Sequence, residues 1–315
     1  MAGAYDHRPV LLEETLRLLA PERGGLFVDC TVGLGGHARA LLERSPSARL
    51  LGIDRDPEAL EIAGERLAPF GERAALVEGS FDRVDRILAE RGEGRVAGML
   101  ADLGVSSLQL DRPERGFSFR FDGPLDMRMG PSIGRTAADV VRDSTEAELT
   151  RILRDYGEER RARRIAKALV QARTEGPIET TGQLRDAVHR AVGGPRAGPA
   201  RGGPRIDSAT RTFQALRIEV NQELAGLERY LDRSIELLEE DGRFVVISYH
   251  SLEDRLVKQA LRAAATGDID PVTGRARAET RLIELLTRKP LRSSEAEIEQ
   301  NPRSRSARLR AARRL

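Results

Sequence analysis

Three features able to do chemistry fall within the first 110 residues. Gly33-Leu34-Gly35-Gly36-His37 is a glycine-rich turn between an apolar run, Leu26 to Cys30, and a helical stretch through Leu41 and Leu42. Asp54 follows Gly33 by 21 residues and ends a second apolar run, Leu50 to Asp54. Asp102 ends another, Gly98 to Ala101. Glycines in such a turn permit positive φ and let a ligand approach the backbone. A carboxylate at the next strand end can accept hydrogen bonds from both hydroxyls of a ribose. Turn and acids together describe a nucleoside crevice at the strand ends of an open α/β sheet. Gly33 to Ala38 also satisfies the dinucleotide fingerprint G-x-G-x-x-G/A. These residues alone therefore leave NAD and S-adenosylmethionine both open.

The elements that must position them alternate between strand and helix up to about residue 101. Asp56 caps a helix with Pro57 in its first turn, where a missing N–H costs nothing. Ala74 to Val77 reads as a third strand and Asp82 to Arg91 as a helix. Alternation of this kind with wholly apolar strands predicts a parallel sheet covered on both faces. From Leu110 to Arg211 the pattern stops. Thr136–Arg142, Thr145–Tyr156, Glu158–Thr174 and Thr180–Val192 read as helices, with capping boxes Thr145/Glu148 and Thr180/Gln183. Gly193 to Arg205 holds five glycines, three prolines and three arginines, which cannot pack a core. The α/β pattern resumes with one long amphipathic helix from Phe213 to Leu238, then a strand, Phe244 to Ile247. Ser251 and Asp254 resemble a further helix start, and 281–288 with 303–313 suggest a final antiparallel hairpin. The predicted fold class is α/β, a doubly wound Rossmann-like domain (1–110 and 212–315) with a helical insert domain (111–211).

Composition narrows the classes. Apolar residues make up 40% and charged residues 32% of the 315, as in a soluble globular protein. The formal net charge is +2, so bulk charge does not mark a nucleic-acid binder. Of 52 basic residues three are lysines (Lys167, Lys258, Lys289), a bias that high genomic GC content explains. One cysteine, Cys30, excludes an internal disulfide framework and fits a reducing, cytoplasmic location. No signal-peptide core or membrane span is read. The four histidines lack metal-ligand spacing, so no metal is expected.

A series of segments resembles one known family. They are His7–Leu12, Asp29–His37, Asp102–Asp111, Arg115–Phe119, Pro124–Met129, Tyr156–Glu159, Ser248–Arg255 and Asn301–Arg310. In this order they resemble the bacterial small-subunit rRNA cytosine-N4 methyltransferases, the MraW/RsmH family. The likeness runs over nearly the whole chain. Departures are Cys30, where a small residue is common, and a longer, more basic 193–205 segment. The resemblance implies S-adenosylmethionine as cofactor, with binding roles for Gly35, Gly36, His37, Asp54, Phe81, Asp102 and Gln109. It implies small-subunit ribosomal RNA, within the small ribosomal subunit, as partner. Backbone N–H groups near Gly35 suit a methionyl carboxylate, Asp54 a ribose, and Phe81 the face or flank of adenine.

The proton acceptor is not assigned by the sequence. Amino-methylating enzymes often carry Asp/Asn/Ser-Pro-Pro-aromatic after the fourth strand, and this chain has Asp102-Leu103-Gly104-Val105. Asp102 is the first catalytic candidate and His250 the second. Basic clusters at Arg160, Arg161, Arg163, Arg164 and Lys167, and at Arg303, Arg305, Arg308, Arg310, Arg313 and Arg314, are candidate phosphate contacts. Phe117, Phe119 and Phe121 are candidate base contacts, with core packing the alternative. Two rival readings are an NAD-dependent oxidoreductase and a non-catalytic RNA-binding assembly factor. The first leaves the Asp102–Asp111 segment without a use, the second leaves the crevice idle.

Overall fold

The computed structural model describes residues 9–194, 207–271 and 273–315. His7 and Arg8 of the first motif, and 195–205 of the glycine-, proline- and arginine-rich segment, lie outside them. Contacts divide the chain into two units, Met1–Gly104 with Leu224–Leu315, and Val105–Glu223. The junctions thus fall at 104/105 and 223/224, where the sequence suggested 110/111 and 211/212.

The first unit begins α1(Leu12–Leu19), β1(Gly25–Asp29), α2(Gly36–Arg44), β2(Ala48–Asp54), α3(Pro57–Leu67), β3(Ala74–Glu78), α4(Val84–Glu90) and β4(Val96–Asp102). In the second unit follow α5(Ser107–Asp111), α6(Ala137–Asp143), α7(Glu146–Asp155), α8(Ala162–Glu175), α9(Thr181–Val192) and α10(Thr210–Asn221). The chain then runs through α11(Glu223–Ser234), β5(Leu238–Ser248), α12(Ser251–Thr266), β6(Ile283–Leu285), α13(Glu295–Gln300) and β7(Arg308–Arg314). None of the described helices is long and apolar enough to cross a membrane.

The first unit is built on a seven-stranded sheet of order β3-β2-β1-β4-β5-β7-β6. Strands β1 to β5 pair in parallel, and β7 runs antiparallel to both β5 and β6. Period-two patterning sorts its side chains. Val28, Met99, Ala101, Phe244 and Val246 join one core, while Phe27, Leu100, Val245 and Ile247 join the other. Each of these side chains larger than alanine, once buried, contributes about 1.5–3 kcal/mol. Strand order reverses between β1 and β4, the switch point at which open α/β sheets leave a crevice beyond their carboxyl ends.

The second unit has its own core from Phe117 to Val220, and α10 belongs to it. The apolar spacing that reads as one helix from Phe213 to Leu238 is broken at Gln222, whose φ of 51° ends α10. Capping boxes form at Thr145/Glu148 and Thr180/Gln183, and a further one at Thr136/Asp139. Asn221 is buried here. Its amide accepts from Met129 N–H and donates to the carbonyls of Met127 and Arg217, each at 2.8 Å. That pins the Pro124–Met129 segment, in which Met127 has a φ of 63° and Asp126 chelates the Arg128 guanidinium.

Candidate functional site

Register carries three acids to adjacent strand ends. Asp29 ends β1 opposite Gly52, Asp54 ends β2 opposite Glu78, and Asp102 ends β4 opposite Ile247. The glycine turn leaves β1 beside them. Gly35 caps α2 at a φ of 77°, where an L side chain would be strained. Gly36 is glycine for a different reason, since a Cβ there would lie 2.6 Å from Pro9.

Asp54 has a task that the sequence did not disclose. Its Oδ2 accepts the Gly33 N–H at 2.8 Å and its Oδ1 the Asp56 N–H at 3.0 Å, so it ties the turn to the second strand. Burial raises its pKa, and those backbone donors oppose the rise. Asp102 donates its backbone N–H to Thr31 Oγ1, while its Oδ1 accepts from the Tyr249 hydroxyl at 2.8 Å. Its Oδ2 lies 3.6 Å from His37 Nε2. Among the described residues His37, 7% exposed, finds no hydrogen-bond partner for either ring nitrogen. A buried imidazole left so is costly unless a ligand meets it.

Asp29 escaped the sequence reading, where it passes for a strand residue. It is buried, and that burial pushes its carboxyl up to about 7 despite the favourable charge of His37 and the Thr31 N–H. Among the described residues no lysine or arginine forms an ion pair with Asp29, Asp54 or Asp102. Cys30 beside it is buried, its thiol pushed up to about 12, and so is not a nucleophile.

Phe81 follows β3 and is half-buried. Tyr230 meets its ring edge-on at 5.4 Å, and the Arg55 guanidinium lies over the ring at 5.4 Å. Arg55 is held in turn by Ser80 and by Asp82, which also takes Arg229 at 2.6 Å. Gln109 belongs to the second unit, where it closes a capping box with Ser106, its Oε1 accepting the Ser106 N–H at 3.1 Å.

Other expectations are corrected. The cap of α12 is His250 with Glu253, not Ser251 with Asp254. Asp254 instead pairs with Arg310 at 2.7 Å and Arg308 at 3.4 Å. Arg313 is held by Asp241 and by Glu284, and Arg314 donates to the Leu282 carbonyl. Four of the six tail arginines therefore serve the sheet, because β7 is an interior strand. Of the three phenylalanines, Phe117 is buried, Phe119 packs edge-on against Phe213, and Phe121 is 70% exposed. Arg160, Arg163, Arg164 and Lys167 are exposed around the start of α8, while Arg161 donates to the Val192 carbonyl.

Comparison with known proteins agrees over the full span. The profile of the MraW methylase family matches residues 4–315. Ribosomal RNA small subunit methyltransferase H of Geobacter sulfurreducens is 52% identical over 318 residues, covering 99% of each chain. The protein of the same name from Syntrophotalea carbinolica is 53% identical over 314 residues, covering 99% of this chain and 98% of its own. That of Symbiobacterium thermophilum is 49% identical over 319 residues, with the same coverage.

Proposed function

The chain belongs to the MraW methylase family, and from that premise we propose how this methyltransferase works: it methylates N4 of a cytosine in small-subunit ribosomal RNA, with S-adenosylmethionine as donor. The observation that carries the cofactor reading is the trio of carboxylates at the switch point, none of them paired with an arginine among the described residues. S-adenosylmethionine brings a sulfonium, an ammonium and a ribose diol, all suited to carboxylate acceptors. NAD brings a pyrophosphate, which three nearby acids oppose, and the Gly33 N–H that could meet a phosphate is already given to Asp54.

When bound, the cofactor supplies a methyl group on positively charged sulfur. Asp54 takes the ribose hydroxyls, the turn at Gly35 and Gly36 lets the backbone approach, and Phe81 flanks the base. His37 and Asp102 meet polar groups of the donor. The cytosine amino group is a poor nucleophile, since its lone pair is delocalised into the ring. An acceptor must draw on its N–H and take a proton once the methyl is transferred. Asp102 is the candidate for that acceptor, and the second unit takes the part of substrate recognition. The assembled or nearly assembled small subunit is the proposed partner, in the cytoplasm.

Incubating labelled cofactor with naked rRNA, small subunits and unrelated RNA, followed by digestion to nucleosides, tests this. Label on N4-methylcytidine from small subunits is expected. Label on adenosine, or on a ring carbon, would refute the amino-cytosine reading, and efficient labelling of unrelated RNA would overturn the ribosomal one.

A further inference from the structure

We propose that Tyr249 is a positioning residue, which occupies Oδ1 of Asp102 and thereby leaves Oδ2 as the oxygen that Asp102 offers to the cofactor. This rests on the reading of Asp102 as cofactor-binding. The hydroxyl-to-carboxylate distance is 2.8 Å. Burial, and then the neighbouring Asp102 carboxylate, hold the phenol well above its ordinary pKa, so the hydroxyl keeps its proton and is the donor. The other oxygen faces the partnerless His37 ring.

Tyr249 is itself fixed from three sides. Its backbone N–H donates to Glu253 Oε2 at 2.8 Å, and that carboxylate is locked into the cap of α12 by the His250 N–H. Its ring joins the core of Ile247 and Leu309. Opposite the ring stands Gly104, at a φ of 101°, where a Cβ would come within 3.4 Å of Tyr249 Cδ2. A carboxylate at a strand end otherwise rotates freely about χ2. Here one rotamer is selected by a donor on the adjacent strand end, and a preorganised acceptor binds more tightly than a mobile one.

The test is a double-mutant cycle of Tyr249→Phe and Asp102→Ala on the full chain, read by calorimetric titration with S-adenosylmethionine and by thermal melting. Y249F keeps the ring in the core, so the chain should stay folded at the titration temperature, its melting midpoint lower by a few degrees for the hydrogen bond lost without cofactor. Its dissociation constant should rise about five- to tenfold, the preorganisation lost when Oδ1 is released. In the D102A background Y249F should have no further effect on affinity. Equal effects in both backgrounds, or a lowered midpoint that accounts for the weaker binding, would overturn the proposal. D102A weakened beside an unchanged Y249F would overturn the positioning role alone. D102A binding like wild type would remove Asp102 from the cofactor site, and the role of Tyr249 with it.

Discussion

The first unit contains two sets of acids that its fold treats in opposite ways. On the β5–β7–β6 side, Asp254, Asp241 and Glu284 each hold an arginine of β7. At the ends of β1, β2 and β4, Asp29, Asp54 and Asp102 hold none among the described residues, in a chain with 50 acidic and 52 basic residues. Pairing lowers the cost of burying a charge, and without it burial raises the pKa instead, as at Asp29 and Asp54. The paired set therefore belongs to the architecture. The unpaired set is a cost that a cationic, hydroxyl-bearing ligand would offset.

Breaking the paired set should do the most damage. Asp254→Ala strands Arg308 and Arg310, the latter 9% exposed on its side chain, so about 3–5 kcal/mol should be lost. In calorimetry this is a fall in melting midpoint of roughly 6–20 °C. A loss below about 1 kcal/mol would mean that the β7 arginines are solvated and the contrast is false.

Relieving the unpaired set should have the reverse sign. The pKa of Asp29 is about 7 folded against 3.8 as reference, so the folded chain keeps a proton that the unfolded chain has released. Stability without cofactor then falls as pH rises from about 4 through 7, and Asp29→Asn should be free of that fall. The variant should match wild type near pH 4 and exceed it at pH 8, with a ceiling of about 4 kcal/mol. Urea unfolding at the two pH values measures it, and a difference independent of pH would contradict it.

Asp54→Ala should weaken S-adenosylmethionine binding by roughly 2–3 kcal/mol, or about 30–150-fold, without unfolding the chain. Because Asp54 also holds the Gly33 and Asp56 N–H groups, Asp54→Asn is the control that keeps one acceptor. An unchanged dissociation constant would remove Asp54 from the site. The smallest stability effect is expected at α8, where Arg163→Glu with Arg164→Glu should stay within about 0.5 kcal/mol. The salt dependence of RNA affinity should become shallower by about 1.4–1.8 for two lost phosphate contacts. Arg313→Glu with Arg314→Glu should leave that slope unchanged.

Much of the site was legible because its determinants are local. The glycine turn, Asp54 and Asp102 each sit at the end of an apolar run, and Thr145 and Thr180 declare their helices through box partners three residues on. What was not legible depends on distant partners or on unusual residue choices. Asp254 precedes Arg308 by 54 residues, so the tail looked free of acids. Apolar spacing continues through Gln222 although the backbone turns left-handed there. Histidine is an uncommon N-cap, so the α12 start was placed one residue late. Asp29 needed the whole sheet to reveal its burial.

The pairing of β4 with β5 also sets a schedule. Asp102 lies opposite Ile247, and the intervening second unit must be made before β5 exists. At roughly 5–20 residues per second, synthesis from 102 to 247 takes on the order of 7–30 s. Throughout that interval Val96 to Ala101, all buried in the finished sheet, form an apolar edge with open hydrogen-bonding groups. The nascent chain thus carries an unpaired apolar strand edge midway through translation, open to wrong pairing until β5 is made.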